Sequence, residues 1–267
     1  MRKDTYLIND GGSWSVVAED ALDRIIEDSR NDDEKFVSAY EAALFAIEGD
    51  DYNVVRVVAN EPLTESEDRE WVARARWRLK TDSGKIIVSG GFDPDCLADL
   101  REDGEIEYSE VINVWPGDYQ ITFYTYLHSM SGVMWLSDFY GERLLPKPGL
   151  WYRRDHGNRP LPSWMAARLS DEDFDEDDEW QPFGESLKSG RIQIEHGPLH
   201  WIGYLFHLIP FASDMELDEP EGGWFDSQTG LRVPERFPLG IATDCTKDTE
   251  VKSRLAHLFG GQDEDTK

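Results

Sequence analysis

Cysteine is scarce in this 267-residue chain: Cys96 and Cys245 are the only two, and they form neither a CxxC nor a zinc-type spacing. Two free buried thiols are expected, although one long-range disulfide is sterically open to them. Long apolar runs are missing too. No stretch approaches the roughly 18 apolar residues that span a bilayer, and the nearest, residues 199–211, is interrupted by His200, His207 and Pro210. The opening MRKDTYLINDGGSW has basic residues but no apolar segment of a secretory signal behind them. A cytoplasmic protein without a membrane partner is the expectation. Positive charge is in deficit as well, with 27 Lys+Arg against 55 Asp+Glu and a net charge of −28. A field of that sign repels phosphate backbones and anionic lipid, which argues against direct binding to nucleic acid or a membrane surface. The sequence also lacks a GxSxG elbow, a GxxxxGK[ST] phosphate loop, a GxGxxG turn and an HExxH helix. Gly84-Lys85 misses the first glycine of a phosphate loop because Leu79 stands there. Several large enzyme classes lose their support, and neither a catalytic residue nor a cofactor is assigned.

What is present is a foldable aromatic β protein. Hydrophobic residues make up 39% and aromatics 12%, too many for an acidic disordered tail. Residues 19–30 place Leu22, Ile25 and Ile26 on one side of a short helix. Residues 32–48 read two ways, as a helix through Phe36, Tyr40, Leu44 and Ile47 or as a segment ending in a buried strand. From residue 53 the period becomes two. Residues 53–59 are Val-rich, and residues 71–79 alternate Trp71, Ala73, Ala75, Trp77 and Leu79 against Arg74, Arg76 and Arg78. A turn at Asp82-Ser83-Gly84 makes residues 71–89 read as a hairpin. Residues 111–114 form another strand, Pro116-Gly117 suits the centre of a type II turn, and residues 119–128 alternate again.

Residues 141–190 are proline-rich and acidic, order resumes as strands at 191–196 and 199–209, residues 214–226 form an acidic loop, and a short helix precedes the tail. The expected fold is mainly β (α+β): two antiparallel β-sandwich-like units, residues 1–135 with an N-terminal helix and residues 140–260 with acidic loops, then a frayed 261–267.

Three local clusters invite chemistry. Glu195, His196 and His200 are metal-ligand types, but Gly197-Pro198 breaks the helix that would align the imidazoles. In an extended segment positions 196 and 200 lie about 13 Å apart, so hydrogen-bonded histidines at a turn are the ordinary reading. The run at residues 171–179 matches an EF-hand loop at Asp171, Asp173 and Asp175, then fails where Glu176 replaces Gly and Pro182 replaces the final Glu. Arg74, Arg76 and Arg78 suit an anion, yet in so acidic a chain a neighbouring strand is expected to place Asp or Glu opposite them.

The charge itself has three readings: a surface for a basic partner, adaptation to molar salt, or plain solubility. Arg outnumbers Lys by 18 to 9 and acids are spread along the chain, which suits the latter two. Two concentrated patches suit the first: Asp171, Glu172, Asp173, Asp175, Glu176, Asp177, Asp178 and Glu179, and then Asp214, Glu216, Asp218, Glu219 and Glu221.

The string Gly117-Asp118-Tyr119-Gln120-Ile121-Thr122-Phe123-Tyr124-Thr125 resembles the GDYQLTxWT-type strand of the bacterial competence protein J family, and the order of elements upstream is compatible over residues 5–128. That family consists of small inhibitors of a competence-associated DNA-entry nuclease. The chain departs from it by being much longer. Residues 117–125 determine shape, so no functional residue carries over. The resemblance implies a protein–protein inhibitor that performs no chemistry. Together with the charge it sets the first expectation: a non-catalytic acidic inhibitor or immunity-type regulator of a basic protein such as a nuclease or toxin, contacting it through the two acidic patches. The alternatives are a metal-dependent enzyme using Glu195, His196, His200 and His207, and a structural or assembly protein.

Overall fold

In a computed structural model, residues 1–9, 12–28, 34–47, 51–91, 108–126, 129, 160, 202–215, 217, 221–223, 225–226 and 230–231 are described. The fold is mainly β. One five-stranded sheet contains β1 (Arg2–Asn9), β4 (Asp51–Ala59), β9 (Tyr204–Pro210), β8 (Gly117–Tyr126) and β5 (Trp71–Thr81), in the order β1-β4-β9-β8-β5. The second runs β10-β3-β2-β6-β7, from β10 (Glu221–Gly223), β3 (Ala42–Ala46), β2 (Ser13–Ala18), β6 (Lys85–Ser89) and β7 (Ser109–Asn113). A small ladder joins β11 (Phe225–Asp226) to β12 (Gly230–Leu231).

The inner faces of the two large sheets share one core. Phe123 lies at its centre, with ring centroids 4.9 Å from Phe45, 5.0 Å from Phe206 and 5.4 Å from Tyr204. Among the described residues three α-helices border the sheets: α1 (Leu22–Asp28), α2 (Glu34–Ser38) and α3 (Glu65–Glu70). Leu22 and Ile25 of α1 and Phe36 and Val37 of α2 form a second apolar cluster on β2 and β6. Of the two readings of residues 32–48, the segment ending in a strand is the one realised: the helix stops at Ser38, so Tyr40, Leu44 and Ile47 lie beyond it and Leu44 belongs to β3. The chain leaves α2 through Tyr40 at a φ of 60° and enters β3.

Several expectations need correction. Residues 71–89 are not a hairpin. β5 pairs with β8 in the first sheet, whereas β6 pairs with β2 and β7 in the second, so the turn at Asp82-Ser83-Gly84 is a corner between sheets. The Asp20 carboxylate holds that corner. It accepts from Ser83 N–H at 3.2 Å and from the Ser83 hydroxyl at 2.9 Å, and Thr81 Oγ1 lies 3.0 Å away. Nor do Trp71 and Ala73 share a face. Trp71 opposes Tyr126 and Ala73 opposes Thr125, so Val72 is an extra residue that shifts the register. Trp71 then packs outside the sheet with Tyr124 and Leu205. Gly117 has no left-handed φ, which a type II turn would require there; it opens β8 directly.

The pairing is not wholly antiparallel either, because β4–β9 and β3–β10 are parallel. The expected boundary near 135–140 assigned residues 204–210 to a second unit, but β9 lies between β4 and β8, paired on both sides. Most of the proposed second unit, the strand at 191–196, both cysteines, the C-terminal helix and the tail lie outside the described residues.

The core contains an unmet polar group. Thr125 is 0% exposed, and its Oγ1 makes no hydrogen bond among the described residues. Thr125→Val removes a hydroxyl that lost water on folding and gained nothing in return. It is expected to stabilise by about 1 kcal/mol, read as a higher urea midpoint. A lower midpoint would show that the hydroxyl has a partner.

Candidate partner interface

The second acidic patch begins where β9 ends. Phe211 N–H donates to Asp118 O at 2.9 Å, and the chain turns over residues 212–215 with Met215 N–H donating to Ala212 O at 3.0 Å. Asp214 sits exposed on that turn. At the other end of the patch Glu221 opens β10, in parallel register with Leu44 of β3, so residues 221–226 include strand rather than the loop expected there. The patch thus leaves from one sheet and arrives on the other. Glu216, Asp218 and Glu219 lie outside the described residues, as does the whole first patch, Asp171, Glu172, Asp173, Asp175, Glu176, Asp177, Asp178 and Glu179.

Arg78 anchors the start of the turn. Its guanidinium forks onto the Asp118 carboxylate, with Nε donating to Oδ1 at 2.8 Å, and lies 4.6 Å from the Tyr40 ring centroid and 4.4 Å from that of Phe211. The Asp118 hydrogen bonds raise the Arg78 pKa above its ordinary value. Asp118 comes from the neighbouring strand as expected, but diagonally: the residues directly opposite Arg74, Arg76 and Arg78 are Tyr124, Thr122 and Gln120, and Asp118 itself opposes Lys80. Arg74 takes a different neighbour, lying 4.7 Å from the Trp71 ring centroid. The Val72 bulge is what brings those two side chains to the same face.

The most enclosed charges lie at the opposite edge of this sheet. Glu67 of α3 is 2% exposed. Its carboxylate accepts from Arg2 (2.8 and 3.1 Å), from Arg56 (2.8 Å) and from Thr64 N–H (2.7 Å), while Arg56 also forks onto Asp4. Burial alone would push the Glu67 pKa up. The hydrogen bonds from Arg2, Thr64 and Arg56 outweigh it and hold the group at about 2. The Tyr126 hydroxyl donates to Glu67 O at 2.7 Å, and burial raises the pKa of that phenol well above its usual value. This arrangement is a structural lock, with every fork filled by the chain itself. A sequence signal for it exists: Thr64-x-x-Glu67 is a capping-box pattern, and Thr64 and Glu67 make both of its reciprocal bonds.

Of the histidine cluster, Glu195, His196 and His200 lie outside the described residues. His207 lies on β9 with Nε2 2.8 Å from Glu61 O. Burial lowers its pKa, although the Glu61 bond opposes the shift. No group of metal-ligand side chains forms among the described residues. Nor is any helix among them long and apolar enough to cross a membrane.

Most described cations are committed to carboxylates: Lys3 to Glu110, Arg24 to Glu41, Arg56 to Asp4 and Glu67, Arg69 to Glu65, and Lys80 to Asp82, besides Arg2 and Arg78. These pairs cancel at short range, and the net charge of −28 sets the far field.

No protein-family model matches the chain, and no curated protein does. Two solved structures are similar to it. One is titled "Crocagin biosynthetic gene J", with 12% identity, coverage of 79% of this chain and 98% of the other, and a TM-score of 0.37. The second is ComJ from Bacillus subtilis, described as an inhibitor of the DNA-degrading activity of NucA, with 16% identity, coverage of 49% and 86%, and a TM-score of 0.32. The resemblance to the competence protein J family, read above from residues 117–125, thus recurs as a weak structural likeness. TM-scores this low carry no functional argument.

Proposed function

We propose that this protein is a non-catalytic acidic binding protein, an inhibitor or immunity-type regulator of a basic protein such as a nuclease or toxin, working in the cytoplasm. The observation that carries the reading is the charge. The chain has a net charge of −28, and the cations described above are largely paired with carboxylates at short range. Such a surface draws a basic partner to fast encounter and presents carboxylates where that partner would hold phosphates. The strand motif at residues 117–125 supports the same direction.

Affinity capture from the source lysate at low salt, against an equally acidic unrelated bait, tests the reading. A basic protein enriched on this bait alone, whose activity falls on binding, supports it. Identical captured sets on both baits would refute it.

With a partner in hand, charge reversal of Asp214, Glu216, Asp218, Glu219 and Glu221, or of the patch at residues 171–179, is expected to slow association about tenfold or more while leaving the melting temperature near wild type. Stopped-flow rates at rising salt check this, because exposed charges are screened within about 10 Å at 0.1 M. Unchanged rates after reversing both patches would remove them from the interface.

A further inference from the structure

Among the described residues Trp115 is the most exposed large apolar side chain, at 76%. Its backbone, by contrast, is tightly held. The Tyr119 hydroxyl donates to Trp115 O at 2.6 Å, and Val114 N–H donates to Gly84 O at 2.8 Å. Gly84 has a φ of +71°, and a Cβ there would lie 2.8 Å from both Val114 O and Pro116 Cδ, so the two chain segments meet with no room between them. Asp20 braces the other side of the same corner through Ser83. The alternation of β7 extends past its end: Val111 is 41% exposed, Asn113 is exposed, and Trp115 continues the series. A floppy exposed indole would be an accident of a loop. This one stands on a braced double turn, so little conformational freedom remains to be lost when something packs on it.

The geometry points to Trp115 as the anchor on which the basic partner docks, with the indole face taking an arginine or lysine side chain and Val111 extending the apolar contact. This rests on the functional reading above. The corner itself is close to neutral. Lys80 reaches Asp82 at 3.5 Å, Lys85 stands opposite Asn113, and Asp20 and Asp82 balance the two lysines. Attraction for a cation therefore comes from the net −28 at long range and from the ring face at contact. Tryptophan gives the strongest cation–π contact of the aromatic residues and is enriched among the residues that dominate binding energy. The acidic patches would then govern how fast the partner arrives, and Trp115 how long it stays.

The test titrates the full-length 15N-labelled chain with a capped peptide of alternating glycine and arginine, at low salt and at roughly 0.3 M salt, where diffuse attraction is strongly screened. The Trp115 indole N–H signal, assigned by its loss in Trp115→Phe, is expected to shift saturably at both salts. Trp115→Ala should weaken binding at the higher salt about tenfold with an unchanged melting temperature. Equal affinity of wild type and Trp115→Ala would overturn this surface and leave the basic-partner reading standing. Absence of binding by the wild type even at low salt would overturn both.

Discussion

Glu67→Gln is expected to lower the stability of the fold by about 3–5 kcal/mol, the usual result of removing one partner from a buried ion pair. The loss comes less from the missing attraction than from what remains: Arg2 and Arg56 still point at the site, with only the more exposed carboxylates of Glu61 and Asp4 left to pair them. The depressed pKa gives a consistent magnitude. A carboxylate moved from the ordinary 4.5 to about 2 contributes on the order of 3 kcal/mol at neutral pH. Because the folded-state pKa is the lower one, that contribution is fully present above about 4.5 and is lost as pH falls toward 2.

His207 acts earlier in an acid titration. Its pKa is lowered from 6.5 on folding, so the unfolded chain takes up its proton first and stability begins to fall below that pH. Urea midpoints measured from pH 7 down to pH 3 should decline in two stages in the wild type. In Glu67→Gln the second stage should be greatly reduced. An unchanged second stage would place the acid-sensitive carboxylate elsewhere.

Gly90→Ala is expected to be at least as damaging, and the variant should fail to give a cooperative unfolding transition. A Cβ at Gly90 would fall within the carbonyl of Ile8 and 2.8 Å from Asn9 Cα. These are backbone atoms of β1, not the ends of side chains that can swing away. Gly90 closes the second sheet against the edge of the first, so the added methyl must push the two sheets apart. Gly117→Ala provides the comparison. Its Cβ would meet only the Tyr119 ring, at 3.6 Å or more, and its φ is not left-handed, so a change within about 1 kcal/mol is expected. Circular dichroism through a thermal ramp separates the two variants. A well-folded Gly90→Ala protein would mean that β1 and β6 do not approach as closely as the structure has them.

Local periodicity made the strands legible. The alternation in residues 71–79 and 119–128 marks β5 and β8, and the valines of residues 53–59 mark β4, because a half-buried strand must alternate and a fully buried one must be apolar throughout. Strand pairing was not legible. Asp82-Ser83-Gly84 has the composition of a hairpin turn, yet turn chemistry depends on local φ and ψ and says nothing about which sheet the next strand enters. The bulge at Val72 leaves no compositional mark, so Trp71 was assigned to the wrong face.

Of the candidate interface, composition could establish that residues 214–221 are acidic, but not that Asp214 follows one sheet and Glu221 enters the other. That depends on contacts between residues far apart in sequence. Two signals were readable and carried no flag: the Thr64-x-x-Glu67 box, and the continuation of the β7 alternation through Val111 and Asn113 to Trp115.

The position of β9 has a consequence for how the chain is made. The central strand of the first sheet is synthesised roughly 80 residues after its neighbour β8, a delay on the order of ten seconds at ribosomal speed. Until residues 204–210 emerge, β4 and β8 each lack a neighbour, and one flank of the Phe123 ring cluster lacks Tyr204 and Phe206. The nascent chain must carry two open strand edges and a partly exposed aromatic core through that interval. The excess of carboxylates bears on that interval, because like charges keep neighbouring nascent chains apart while the gap in the sheet is still unfilled.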